Sequence, residues 1–170
     1  MKVIKKQKNS KNCIICGLDN ELGVKVNFYN LEDKTVGALL EFKSYHQSYP
    51  GRAHGGMIAS VLDEVMGRVL WIEEYGTYAV TTSMEVKYRK PVPYDVPLKA
   101  RGYIVKRLSR MYTAKGQLYD MDDNLLAEAE GKYLIQPTNV ISSDASIEDE
   151  MCYLLDDGVT EIDFLPLEVE

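Results

Sequence analysis

Residues 49–71 read YPGRAHGGMIASVLDEVMGRVLW, and the fold depends on the residues after the Gly-Gly pair. Apolar side chains stand at Met57, Ile58, Val61, Leu62, Val65, Met66, Val69, Leu70 and Ile72. Gaps of three and four residues stack such positions along a helix, and the short apolar stretches between them widen the apolar surface to nearly all sides. The pattern predicts a mostly buried helix over 55–74, interrupted by Asp63, Glu64, Gly67 and Arg68. Pro50 and Gly51 mark the loop that precedes it.

A buried helix needs apolar cover, and the rest of the chain offers strands. VKVNFY (24–29) and TVGALLEF (35–42) flank the NLEDK turn and predict a hairpin. After the helix come YAVTTSMEVKYRK (78–90), PLKARGYIVKRL (97–108), RMYTAKGQLYD (110–120) and LLAEAEGKYLI (125–135), read as four strands in a meander. Ala and Glu in the last segment favour helix by propensity, but the preceding MDDN turn pairs it with its neighbour as a strand. Two strands, one helix and four strands make an α+β domain, a curled antiparallel sheet wrapped around one long central helix.

A length of 170 residues suits one domain with a substantial core. The lysine-rich start, with five lysines among the first twelve residues, reads as a flexible N-terminal segment over 1–20. The domain is expected over 21–137. Residues 138–170 hold ten Asp or Glu and no Lys or Arg, so the other 137 residues carry all 20 basic side chains against 16 acidic ones. A mildly basic body with an acidic tail speaks against general nucleic-acid binding, while MCYLL (151–155) and IDFLPL (162–167) make the tail apolar enough to dock against the body or a partner. No apolar run nears the roughly 20 residues of a membrane span, and no apolar segment comes after the lysines as in a signal peptide. Three cysteines, Cys13, Cys16 and Cys152, are too few for a disulfide framework. The expectation is a cytoplasmic protein without a membrane partner.

Gly55 and Gly56 open the helix, where the first N–H groups lack internal acceptors and meet the positive end of the helix dipole. They suit either an oxyanion or carbonyl contact or a tight loop-to-helix turn. Asp63 lies two turns deeper among Ala59, Ser60, Met66 and Gly67, an apolar and small-residue stripe on which a carboxylate needs a cavity. Glu64 has Arg68 four residues on and reads as a helical ion pair. Lys87 and Arg89 alternate with Val86 and Tyr88 on one strand face, and with Lys90 they suit either a solvated edge or an anionic ligand. Cys13 and Cys16 form a Cys-x-x-Cys-Gly knuckle, half of a zinc pattern. A second pair is missing, and no spacing supports Cys152 and His46 as the remaining ligands.

HGGMIASVLDE, with His54, Gly55, Gly56 and Asp63 at this spacing, resembles the His-Gly-Gly-(x)6-Asp/Glu signature of hotdog-fold acyl-CoA thioesterases of the PaaI-like type. YPGRAHGG and VKYRKPVP resemble that family's flanks, and the likeness spans about 13–137. The resemblance implies a homodimer or dimer of dimers that hydrolyses an acyl-CoA thioester to acid and coenzyme A. Coenzyme A enters as part of the substrate, with no metal or redox cofactor. It implies that the Gly55 N–H polarises the thioester carbonyl with Gly56 supporting the turn, that Asp63 acts as general base or nucleophile, and that His54 orients the loop or assists at the carbonyl. Gln47, or Ser48 in an adjacent register, falls where relatives carry Asn or Gln. Thr81, supported by Thr82 or Ser83, would act on Asp63 across the dimer interface, and Lys87, Arg89 and Lys90 would meet the coenzyme A phosphates. The rival readings are a non-catalytic acyl-CoA sensor on the same fold and a hydroxyacyl-thioester dehydratase.

Overall fold

The computed structural model describes residues 1–142 and 146–167. The apolar periodicity becomes helix α1, Gly55–Gly67, continued without a break by a tighter 3-10 turn over Arg68–Ile72. Ile58, Val61, Leu62, Val65 and Met66 of α1 and Val69, Leu70 and Trp71 of the turn are buried. Each such side chain stabilises by about 1.5–3 kcal/mol relative to an exposed one.

The strands are β1 (Val3–Lys6), β2 (Asn27–Leu31), β3 (Val36–Leu40), β4 (Tyr78–Tyr88), β5 (Leu98–Arg107), β6 (Met111–Tyr119) and β7 (Leu125–Gln136). They form one antiparallel sheet in the order β1-β2-β3-β5-β6-β7-β4. Packed on one face of it, α1 meets β3, β5, β6, β7 and β4. The expected β2–β3 hairpin forms, as does the β6–β7 pair that the Asp-Asp-Asn turn implied. The four-strand meander does not. β4 leaves sequence order and closes the far edge beside β7, from Tyr78 opposite Gln136 to Tyr88 opposite Ala127. These are the two longest strands, of 11 and 12 residues, and pairing them satisfies the most backbone groups. Alternation along one strand reports its two faces and carries no information about its neighbours.

The N-terminal segment differs from expectation, whereas the tail docks through one of its apolar stretches, IDFLPL (162–167). The N-terminal segment, predicted flexible, contains β1 on the edge of β2, and Gln7, Asn9, Ser10 and Cys16 are buried. The Asn9 amide donates to the carbonyls of Cys16 and Val26, each at 2.9 Å. Turn-forming and polar residues here satisfy buried backbone, a use that composition does not reveal. The acidic tail folds back onto the sheet. Two four-residue helices, α2 (Thr138–Ile141) and α3 (Ile147–Glu150), precede a strap in which Ile162 and Phe164 join Tyr29 and Leu31 in a second apolar cluster. Two buried cations fasten the strap: Lys99 donates to the Asp163 carbonyl at 2.6 Å and Arg101 to that of Leu165 at 2.7 Å. Asp123 and Asp33 neutralise them. The remaining parts of the predicted tail, 143–145 and 168–170, lie outside the described residues.

Candidate active site

The N-terminus of α1 is built by a histidine cap. His54 Nδ1 accepts the Gly56 N–H at 2.9 Å, which places the ring proton on Nε2 and leaves that nitrogen as an outward donor. Gly56 is therefore occupied by its own chain and does not form a donor pair with Gly55. For the Gly55 N–H there is no acceptor among the described residues, so it stays available to a ligand. Tyr88 at the end of β4 donates from its hydroxyl to the Gly55 carbonyl at 2.8 Å and braces this turn from the sheet. Gln47 lies alongside, bridged to Ala53, with its Oε1 accepting from the Tyr94 hydroxyl at 3.3 Å. A cleft of about 510 Å³ opens here, lined by Gln47, His54, Gly56, Met57 and Ser60 among others. Ser48 is not on that lining; its N–H holds the loop at the Arg52 carbonyl, 3.0 Å away.

Asp63 sits farther along α1, half-buried. Its Oδ1 accepts from Thr81 Oγ1 at 2.7 Å and from the Tyr133 hydroxyl at 2.9 Å. The two donors come from opposed positions, since Thr81 of β4 faces Tyr133 of β7 in the ladder. A bulge between Thr81 and Ser83 turns Thr82 aside, onto the Lys132 carbonyl at 2.9 Å. Thr81 thus reaches Asp63 within one chain, which corrects the expectation that it would act across an interface. Tyr133 fits because of Gly131: a Cβ there would stand 2.8 Å from the tyrosine ring. Tyr112 stacks on Tyr133 at 4.8 Å between centroids. Burial, and then the Asp63 charge, push the Tyr133 phenol well above its ordinary range, so it remains a protonated donor. Among the described residues no donor reaches Asp63 Oδ2.

The basic residues are placed differently from one another. Arg89, just beyond β4, is paired with Glu128 through Nε at 3.0 Å. Lys90 donates to Asn124 Oδ1 at 3.1 Å, and exposed Lys87 has a loose partner in Glu85 at 3.6 Å. None of the three lines the cleft at the head of α1. Tyr133, Tyr88 and Tyr94 were not singled out from sequence. A signal for Tyr133 existed: it is the large inward residue that succeeds Ala127, Ala129 and Gly131 on the alternating face of β7. His46, weighed as a metal ligand, is instead fixed between the Lys43 N–H at 3.0 Å and the Leu22 carbonyl at 2.8 Å.

Residues 50–127 match the family model described as the thioesterase superfamily. Acyl-coenzyme A thioesterase THEM4 of Rattus norvegicus is 32% identical over 66 residues, which covers 39% of this chain and 27% of the relative. The chain thus aligns with about a quarter of that protein's length. The crystal structure of RHA08564, a thioesterase superfamily protein, superposes with a TM-score of 0.67 at 26% identity, covering 73% of this chain and 63% of that one. A Streptococcus mutans structure bound to acetyl CoA gives a TM-score of 0.58 at 22% identity, with 64% and 86% covered. No described helix is long and apolar enough to cross a membrane. With its curled sheet around α1 and the matched span running from the loop before α1 into β7, the chain has the hotdog fold and is similar over that span to the thioesterase superfamily.

Proposed function

We propose that the protein hydrolyses an acyl-CoA thioester to a free acid and coenzyme A. The observation that carries this reading is Asp63, whose Oδ1 is fixed by two hydroxyl donors while Oδ2 faces no donor among the described residues. Two neutral donors on one oxygen orient the carboxylate and leave the other oxygen open to a reacting group. Oδ2 either takes a proton from water as water adds to the thioester carbonyl, or attacks that carbon itself and forms an anhydride that water then cleaves. In both routes the Gly55 N–H accommodates the oxyanion, the C–S bond breaks, and the thiolate leaves and is protonated from solvent. The reaction as drawn uses only water and the chain's own groups.

Asp63 lies eight positions beyond Gly55, about 12 Å along a helix. A carbonyl cannot contact both at about 3 Å in one chain. The reading therefore includes a homodimer in which the head of one α1 faces Asp63 of the other copy, and β4, an edge strand, suits pairing with its symmetry mate. His54 and Gln47 belong to the glycine half of each site, Thr81 and Tyr133 to the aspartate half. Lys87 is the basic residue best free to meet a coenzyme A phosphate. Support for this ligand comes from the acetyl CoA in the Streptococcus mutans neighbour and from the activity that names the rat relative.

A thiol-release assay across short, long and aromatic acyl-CoAs, run beside calorimetric binding of each, tests the proposal. Turnover of at least one class is expected. Tight binding of several with release from none would replace the enzyme with a sensor.

A further inference from the structure

The N-terminal knuckle is packed against the face of α1 that the proposed reaction does not use. Cys13 Sγ, Cys16 Sγ and a Glu64 oxygen lie within 4.8 Å of one another. The Gly17 N–H closes the knuckle on the Cys13 carbonyl at 2.8 Å. A Cβ at residue 17 would stand 2.4 Å from that oxygen, so this tight turn requires glycine. Cys13 is half-buried and Cys16 fully buried. The Ile15 N–H points at Cys13 Sγ from 3.3 Å, and Arg68 donates to Cys16 Sγ at 3.0 Å and to Glu64 at 2.8 Å.

Two thiols and a carboxylate resemble a metal cradle, but a fixed cation already stands in it. Arg68 is 5% exposed, donates to the Lys8 carbonyl at 2.6 Å, and lies over the rings of Phe28 and Trp71 at 4.5 and 4.7 Å. These contacts hold it in place, and a divalent ion among these sulfurs would meet its charge directly. Adjacent sulfurs, one reachable and one buried, with the Ile15 N–H aimed at Cys13 Sγ, suit electron exchange instead; the Cys13 thiol, which donates to Glu64 at 3.2 Å, releases that proton when it attacks.

We propose that Cys13 and Cys16 form a reversible dithiol–disulfide site that reacts with small-molecule disulfides, Cys13 being the attacking and Cys16 the resolving thiol. The Cys13 thiolate attacks one sulfur of the external disulfide, forms a mixed disulfide and expels one thiolate. Cys16 gives its proton to solvent and attacks Cys13 Sγ, closing the internal disulfide and expelling the second thiolate. Two protein thiols are oxidised and one external disulfide is reduced to two thiols. The division of roles agrees with the lowered Cys13 thiol, held down first by the hydrogen bond from Cys16, and with the raised Cys16 thiol, pushed up by the same bond and by burial.

The test equilibrates the full chain in glutathione redox buffers, quenches with acid, alkylates free thiols and weighs the intact protein. Expected is a species lacking two hydrogens that takes up one alkyl group, at Cys152, where the reduced chain takes three; dithiothreitol restores all three. Cys16→Ser should trap one glutathione on Cys13, and Cys152→Ser should leave the transition unchanged. Three alkylatable thiols at full oxidation, or glutathione on Cys152 alone, overturns the proposal. So does one equivalent of zinc, added alone, that binds the reduced chain and shields both cysteines. The wild-type masses decide the matter even if a cysteine variant does not fold, and none of these readouts depends on thioesterase activity.

Discussion

Asp63 and Glu64 are consecutive carboxylates on one helix, both half-buried, and a rotation of about 100° gives them opposite fates. Asp63 turns toward β4 and β7 and meets two neutral hydroxyls on one oxygen. Glu64 turns toward the N-terminal knuckle, where Arg68 takes one oxygen at 2.8 Å and the Cys13 thiol the other at 3.2 Å. The first carboxylate is oriented and left with an unoccupied oxygen; the second is neutralised and closed. Burial alone therefore does not distinguish a carboxylate left open from one that is neutralised, whereas the charge of its partners does.

The largest effect expected separates these roles directly. Asp63→Asn keeps the shape and can still accept from Thr81 and Tyr133, so its melting temperature should stay near that of the wild type. Turnover should fall by about 10²–10⁴, the usual contribution of a positioned base, with acyl-CoA binding retained in calorimetry. Unchanged turnover would remove Asp63 from the chemistry and the comparison with it. Glu64→Gln should show the reverse. Arg68 would lose its counter-charge in a buried site, costing about 3 kcal/mol, read as a lower midpoint in urea or heat. Turnover per folded molecule should hold. A Glu64→Gln protein as stable as wild type would mean that Arg68 is satisfied by its carbonyl and ring contacts alone.

Tyr133→Phe sharpens the Asp63 side by removing its buried donor. The hydrogen bond to a charged acceptor contributes about 1.5–3 kcal/mol, so a fall in kcat of about tenfold or more is expected, with KM moving little because the tyrosine touches Asp63 and not the proposed acyl chain. A rise in KM at constant kcat would instead make Tyr133 part of the substrate wall.

Much of this was legible in the chain. The periodicity over 57–72 gave the helix and its burial, and the Glu64–Arg68 spacing predicted the ion pair found at 2.8 Å. The pairing partner of β4 was not legible, because strand alternation is blind to lateral order. Nor was the folding of the N-terminal segment onto the body, and Lys99 and Arg101, the cations that hold the acidic strap, look like ordinary surface residues in an alternating strand. The His54–Gly-Gly–Asp63 spacing singled out the two stations of the proposed site. It did not reveal that His54 would cap Gly56, because side-chain capping depends on a rotamer and not on spacing. Thr81 was singled out as acting across an interface, yet it reaches Asp63 within one chain, because a linear pattern does not fix whether two elements meet within a chain or between copies.

The smallest effect belongs to Thr81, and it tests whether Asp63 needs an oriented donor or only a polar neighbour. Thr81 is exposed, so in Thr81→Val water can replace the lost hydroxyl at Oδ1, whereas the buried Tyr133 has no such substitute. A drop in kcat of only a few-fold is expected, smaller than that of Tyr133→Phe. Thr81→Ser, which keeps the donor and loses a methyl group, should restore most of it. If valine costs as much as phenylalanine at 133, water does not reach Oδ1 in the working enzyme, and a second copy or the bound substrate must cover this edge of β4. If serine fails to rescue, the threonine acts through β-branched packing in the strand and the hydrogen bond at 2.7 Å is incidental to the rate. Asp63 would then be held by Tyr133 alone, and the contrast with Glu64 would rest on one buried phenol against one buried guanidinium.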